Sequence, residues 1–180
     1  MDAFSCAACP RRCGALRKPA QPSGGFCGMP AGFVVARAAL HQWEEPCISG
    51  QHGSGTVFFS GCSLRCVYCQ NQQISLGRYG ALVTEENLLR MFDRLIEQGA
   101  HNLNLVNPTH YAPMLAKALK KYCSPVPVIY NSGGYERVEM LKALEGLVDI
   151  YLPDLKYVDS AVSLRYSGAA DYFDYASKAI

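Results

Sequence analysis

Three cysteines, Cys62, Cys66 and Cys69, stand in the stretch Gly61-Cys62-Ser63-Leu64-Arg65-Cys66-Val67-Tyr68-Cys69-Gln70-Asn71, directly after the apolar run Thr56-Val57-Phe58-Phe59. Their type and spacing suit a metal cluster with one position left open. A four-iron, four-sulfur cluster normally takes one cysteine thiolate per iron, so a loop presenting three sulfurs leaves one iron for an exogenous ligand. An open position is also what separates a catalytic metal site from a closed structural one. A buried strand ahead of the loop would hold it on a rigid end, where chemistry is commonly carried. The plainer alternatives are a zinc loop that borrows a ligand from elsewhere and three thiols with no metal. Both fit the spacing poorly, because zinc sites usually pair cysteines as CxxC.

A second group, Cys6, Cys9, Cys13 and Cys27, lies within residues 1–30 among Pro10, Pro19, Pro22, Gly14, Gly24, Gly25 and Gly28. That composition is too loop-rich for a core of its own, so something must staple it. A CxxC pair, a third cysteine four residues on and a fourth after a Gly/Pro loop suit a closed zinc or iron–sulfur knuckle. Four cysteines alone do not choose between those metals. The bland alternative is a reduced tail or disulfide pairing.

The elements that must position the loop follow from periodicity. Val57 to Ser60 reads as a buried strand, and Thr84 caps a helix whose Leu88, Leu89, Phe92, Leu95 and Ile96 recur at helical spacing before Gly99. A second strand around Leu103, Leu105 and Val106 precedes a helix carrying Met114, Leu115, Ala118, Leu119 and Tyr122. A third strand, Val126 to Tyr130, leads to a helix near 135–146, and a fourth spans Val148 to Leu152. Strands separated by helices imply parallel pairing. The fold class is therefore α/β, with chemistry expected at the carboxyl ends of the strands. Those ends carry the three cysteines, then Asn107-Pro108-Thr109-His110, then Asn131-Ser132-Gly133-Gly134, then Asp154-Leu155-Lys156. Residues 1–50 read as a cysteine-rich segment and lead-in, and 51–180 as the alternating body.

Composition narrows the function classes. The chain has 180 residues, 49% of them hydrophobic, which is enough to bury a real core. Seventeen basic residues against fifteen acidic ones give a formal charge of +2 and no electrostatic footprint for nucleic acid. The apolar stretch Phe33 to Leu40 is broken by Arg37 and falls far short of the roughly 20 residues that span a bilayer. Residues 1–20 lack the apolar centre of a signal peptide, so the nine cysteines read as metal ligands in a reducing cytoplasm rather than as disulfides.

The pattern CxxxCxxC, with an aromatic residue before its last cysteine, resembles the radical S-adenosylmethionine (SAM) superfamily. The stretch Cys62-Ser63-Leu64-Arg65-Cys66-Val67-Tyr68-Cys69-Gln70-Asn71 is similar to the branch of pyruvate formate-lyase activating enzymes and their uncharacterised relatives. The resemblance implies a partial parallel (β/α) barrel and a 4Fe-4S cluster on Cys62, Cys66 and Cys69 whose open iron chelates SAM. It also implies reductive cleavage of SAM to a 5′-deoxyadenosyl radical that abstracts hydrogen, with a reductant such as flavodoxin or ferredoxin and, in this branch, a glycyl-radical enzyme as protein substrate. By the same resemblance Asp154 and Lys156 hold the SAM ribose and carboxylate, Asn131 marks the Asn-Gly end of the third strand, and Tyr68 stacks near adenine. Many relatives carry a Gly-Gly-Glu-like segment after the second strand. Here that place is taken by Asn107-Pro108-Thr109-His110, so Asn107 or Thr109 is expected to supply the contact to the SAM amino group.

A barrel of this kind generally has six βα units, and four are legible here, so the resemblance implies a barrel truncated at its carboxyl end. Two other classes remain open on sequence alone. One is a non-catalytic iron–sulfur electron carrier or inactive fragment, for which Asp154 and Lys156 would turn away from the cysteines. The other is a structural zinc protein.

Overall fold

A computed structural model describes residues 2–180. Its centre is a six-stranded sheet built from β3 (Phe33–His41), β4 (Ser54–Phe59), β5 (Ala81–Val83), β6 (Leu103–Val106), β7 (Val128–Ser132) and β8 (Ile150–Pro153), in the order β5-β3-β4-β6-β7-β8. The four strands expected from the alternating pattern, β4, β6, β7 and β8, run parallel in register Val57 to Leu105, Leu105 to Tyr130 and Tyr130 to Tyr151. Two strands were not anticipated. β3 lies in the stretch assigned above as lead-in and pairs antiparallel with β4, and β5 pairs antiparallel with β3. The sheet is therefore mixed, and it crosses the 50/51 boundary drawn from composition. The third and fourth strands also begin two residues later than expected; in the third, Pro127 lacks the N–H a ladder needs and Val128 is the first residue in it.

Alternation along the strands gives the sheet two unlike faces. Val57, Phe59, Leu103, Leu105, Val128 and Tyr130 pack in one buried cluster. That cluster also holds Leu88, Phe92 and Leu95 of α3 (Glu85–Glu97) and Leu115 of α4 (Ala112–Leu119). Helix α3 begins where its capping signal places it, with the Asn87 N–H donating to the Thr84 hydroxyl at 3.2 Å. Phe58, Val106 and Asn131 point to the other face and line a cavity.

Residues 4–31 form a small lobe. Two short strands, β1 (Phe4–Ser5) and β2 (Leu16–Arg17), pair antiparallel around the turn that carries Cys6, Cys9 and Cys13. After β8 come α6 (Ser160–Ser167) and α7 (Tyr172–Ala179); the shorter α1 (Pro46–Ser49), α2 (Gln72–Ser75) and α5 (Val138–Lys142) complete the elements used here. Helix α6 is capped at both ends, by Asp159 accepting from Ala161 and Val162 and by Gly168 in the left-handed region. No helix of the described residues is long and apolar enough to cross a membrane.

Candidate functional site

The loop 61–71 leaves the end of β4 as the parallel topology requires. Gly61 takes φ +81°, and a Cβ there would lie 2.5 Å from the Met29 side chain, so only glycine fits between the sheet and the amino-terminal lobe. The Asn107 side-chain amide donates to the Gly61 carbonyl and fixes where the loop starts. Asn107 has φ +58°, a conformation asparagine tolerates better than most residues.

The three sulfurs differ in setting. Cys66 is buried, while Cys62 and Cys69 are half-buried at the cavity. Burial pushes the Cys62 thiol up; the Arg65 and Leu64 backbone N–H groups act against that, and the neighbouring Cys66 and Cys69 add to it. The Cys66 sulfur accepts from the Ser167 hydroxyl at 2.9 Å, Ser167 bonds Tyr157 at 2.6 Å, and the Tyr68 hydroxyl donates to Tyr157 at 2.7 Å. This hydroxyl chain joins the cysteine loop to the segment after β8. Hydrogen bonds to cluster sulfurs tune potential, so the chain is a lever on any cluster held there.

Around the cysteines lies a cavity of about 800 Å³. Cys62, Cys66, Cys69 and Tyr68 line it together with Asn107 and Thr109 from the end of β6. Asn131 from β7 and Asp154 and Lys156 from the end of β8 line it too. All the expected residues of the body thus face one space, and Asp154 and Lys156 turn towards the cysteines. The Lys156 ammonium donates to Asp154 at 2.5 Å. Burial alone would lower Lys156, but the Asp154 carboxylate outweighs it and the net direction is upward. Gly133 and Gly134 lie beneath this pair. A Cβ on Gly133 would stand 2.9 Å from Leu64 and one on Gly134 2.4 Å from the Asp154 carbonyl, so the backbone there is bare because neighbours fill the space.

Several residues carry bonds that sequence reasoning missed. Thr109 donates to Glu136 at 2.5 Å, and Tyr130 donates to the same carboxylate at 3.2 Å. Glu136 is buried, and desolvation raises it to about 7 against the pull of those hydroxyls. His110 is buried with Nε2 at 2.8 Å from the Ser60 carbonyl. Burial, helped by Arg17, lowers it to about 3, so it is neutral at ordinary pH. Glu44, in the stretch assigned above as lead-in, accepts from Asn104 at 2.9 Å and Asn131 at 3.2 Å. With Arg37, His41 and Trp43 it lines the sheet-side wall of the cavity. The one signal for these was the run Glu44-Glu45-Pro46, which carries no pattern that demands a role.

The amino-terminal cysteines gather separately. Cys6, Cys9 and Cys27 are buried and Cys13 is exposed. Burial pushes Cys9 up to about 12, and Cys27, Cys6 and Cys13 push it the same way as neighbours. Among the described residues no three His, Cys, Asp or Glu side chains already close on a point as finished metal ligands. A metal at either cysteine group would draw its sulfurs together.

Parallel βα units with a three-cysteine loop at the end of the first parallel strand and a polar cavity across the strand ends define the class. Residues 56–179 match the Radical SAM superfamily, and the chain belongs to that superfamily. It is 30% identical over 178 residues to an uncharacterised protein of Methanocaldococcus jannaschii, across 94% of this chain and 51% of that protein. The chain thus spans about half the length of the curated relative it matches.

Membership implies an enzyme that uses a 4Fe-4S cluster and SAM. The residues present fit those groups. Three thiols, the soft donors that iron–sulfur clusters take, share one cavity wall, and the cavity lies within the roughly 300–1,000 Å³ usual for small-molecule sites.

Proposed function

We propose that this chain is a radical SAM enzyme of the branch resembling pyruvate formate-lyase activating enzymes, with Cys62, Cys66 and Cys69 as cluster ligands. The observation that supports this most is the convergence of four parallel strand ends on one cavity beside those cysteines. When bound, the cluster and SAM together supply a 5′-deoxyadenosyl radical for hydrogen abstraction.

The chain's own residues then have separable tasks. The Lys156 ammonium pairs with the SAM carboxylate and is pre-aimed by Asp154, whose remaining acceptor capacity serves the ribose hydroxyls. Asn131 faces the space where SAM would lie, and Gly133, lacking a side chain, leaves room beside it for Leu64 and Lys156. Tyr68, half exposed and tied to Tyr157 through its hydroxyl, offers a ring edge beside Cys69 for adenine. Asn107 holds the loop and Thr109, oriented by Glu136, faces the amino group of SAM. Ser167 donates its hydroxyl hydrogen bond to the Cys66 sulfur and so holds that side chain in place beside the cavity.

The target is a glycine of a glycyl-radical enzyme, the electron comes from a flavodoxin or ferredoxin, and the setting is the cytoplasm, which keeps thiols reduced. Cys6, Cys9, Cys13 and Cys27 form a second metal site, zinc or iron–sulfur. Electron paramagnetic resonance of anaerobically reconstituted, dithionite-reduced protein with and without SAM tests the central claim. A cluster signal that shifts on adding SAM supports it. A signal indifferent to SAM makes the chain an electron carrier or an inactive fragment, and no signal at all points to zinc at both groups.

A further inference from the structure

Arg17 is the largest fully buried side chain of the protein, 1% exposed, and it has no acidic partner among the described residues. Its Nη2 donates to the Cys27 sulfur at 3.3 Å. Its Nε and Nη1 find no hydrogen-bond partner among the described residues, and the guanidinium otherwise stands 5.9 Å from the Phe4 ring and 5.7 Å from that of Tyr111. Arginine stays protonated in proteins, and a buried charge without a counter-charge is strongly unfavourable. Neutral thiols cannot balance it. Metal-bound thiolates can, because metal binding strips their protons and four of them on one divalent ion leave net negative charge.

The sulfurs that would supply that charge lie in the same small lobe as the guanidinium's one polar contact among the described residues. Cys6, Cys9 and Cys27 are buried, and the Cys13 sulfur lies 3.1 Å from where a Cβ on Gly25 would stand, at the rim of the same turn. The hollow beside this turn opens onto Cys13 alone of the four. A single ion asks less room of so small a lobe, two strands of two residues about one turn, than a cube of four irons does.

The same segment interlocks with the loop of Cys62. Arg11, between Cys9 and Cys13, donates to the Ser63 carbonyl at 2.8 Å and to the Ser167 carbonyl at 2.7 Å. Arg65, between Cys62 and Cys66, lies 5.2 Å over the Phe26 ring beside Cys27. The Cys27 carbonyl and Met29 fill the space behind Gly61.

We propose that Cys6, Cys9, Cys13 and Cys27 bind one zinc ion as a closed tetrathiolate, that Arg17 balances its charge, and that the loaded knuckle braces the backbone behind Cys62. This rests on the reading of these four cysteines as a second metal site and is independent of the cluster reading.

The experiment uses the full chain with Cys62, Cys66 and Cys69 all changed to Ala, so that only the second site can hold metal. Elemental analysis and acid-labile sulfide assay are expected to find about one zinc per chain without sulfide, lost on adding Cys9→Ser. Iron with labile sulfide would overturn zinc while keeping the metal site. Neither metal nor sulfide would overturn both. In the same background Arg17→Met is expected to release zinc to a chelator roughly 10–100-fold more readily, the usual cost of losing an outer partner of a metal ligand, and an unchanged release overturns the role of Arg17. If that variant does not fold, Arg17→Lys, which keeps the charge on a shorter reach, is expected to show a smaller increase, and none would overturn the role equally. Hydrogen exchange at residues 61–64 is expected to rise when the chelator removes zinc, and exchange that stays the same overturns the brace.

Discussion

The two groups of cysteines sit back to back and are supported in opposite ways. Cys62, Cys66 and Cys69 hang from the end of β4, a strand paired on both sides within a six-stranded sheet. Cys6, Cys9, Cys13 and Cys27 sit in a lobe whose own regular structure is two strands of two residues each. On the proposed reading the first group can present three sulfurs and leave a gap, because the sheet holds the backbone whether or not metal is bound. The second has four sulfurs, a buried guanidinium and little else, so on the proposed reading its order would depend on what the sulfurs hold. A rigid scaffold permits an open site, whereas a poor one needs a closed site. Gly61, Met29, Arg11 and Arg65 are where the two meet.

The largest effect should come from breaking the open site alone. Cys66→Ala is expected to abolish SAM cleavage, measured as 5′-deoxyadenosine formed under reducing conditions, while the thermal unfolding midpoint of the unloaded protein moves by only a few degrees. A large loss of midpoint would mean that the sheet does not support the loop independently.

Acidity acts on the support behind the open site. Glu136 is raised to about 7, so the folded state binds more protons than the unfolded one between about 4.5 and 7, and its stability falls as pH rises through that window. His110 is lowered to about 3, so the unfolded state binds more protons between about 3 and 6.5, and stability falls as pH drops. The two slopes oppose each other over the shared range. Denaturant unfolding should therefore show a plateau near pH 4.5–6.5 that declines on both sides. Glu136→Gln is expected to turn the plateau into a rise with pH up to about 6.5 and to remove the short alkaline decline, the two together worth about 3 kcal/mol at most, and an unchanged profile in that variant would assign the plateau to another group.

Within the cavity, Lys156→Met should weaken SAM binding roughly 10–100-fold, the usual worth of a charged hydrogen bond, without changing the cysteine loop. Calorimetry on the reconstituted protein measures it, and equal affinity would move the SAM carboxylate elsewhere.

The smallest effect tests the seam. Gly61→Ala places a side chain at φ +81° against Met29 and is expected to cost about 1–2 kcal/mol. Combined with Met29→Ala, which makes room, the loss should be less than the sum of the single changes. Strict additivity would show that the two cysteine regions are energetically separate.

Much of this was legible in the chain because it is written locally. The spacing Cys62, Cys66, Cys69, the Thr84 cap, the helical period from Leu88 to Ile96 and the polar ends of four apolar runs each lie within one element, and elementary stereochemistry reads them. β3 was not legible, although Phe33 to Leu40 was noticed as apolar. Its partners are β4 and β5, far apart in the chain, and an apolar run does not say with what it will pair.

Sequence alone therefore determined the parallel units that carry the three-cysteine loop and the superfamily to which the chain belongs. Only the tertiary structure decided which side chains meet across distance: Glu44 on Asn131, Ser167 on Cys66, Glu136 on Thr109, Arg11 on Ser63 and Arg17 beside Cys27. Those are single polar groups without periodicity, and nothing in their local context fixes a partner. Burial selects it, because a polar group taken out of water must find one.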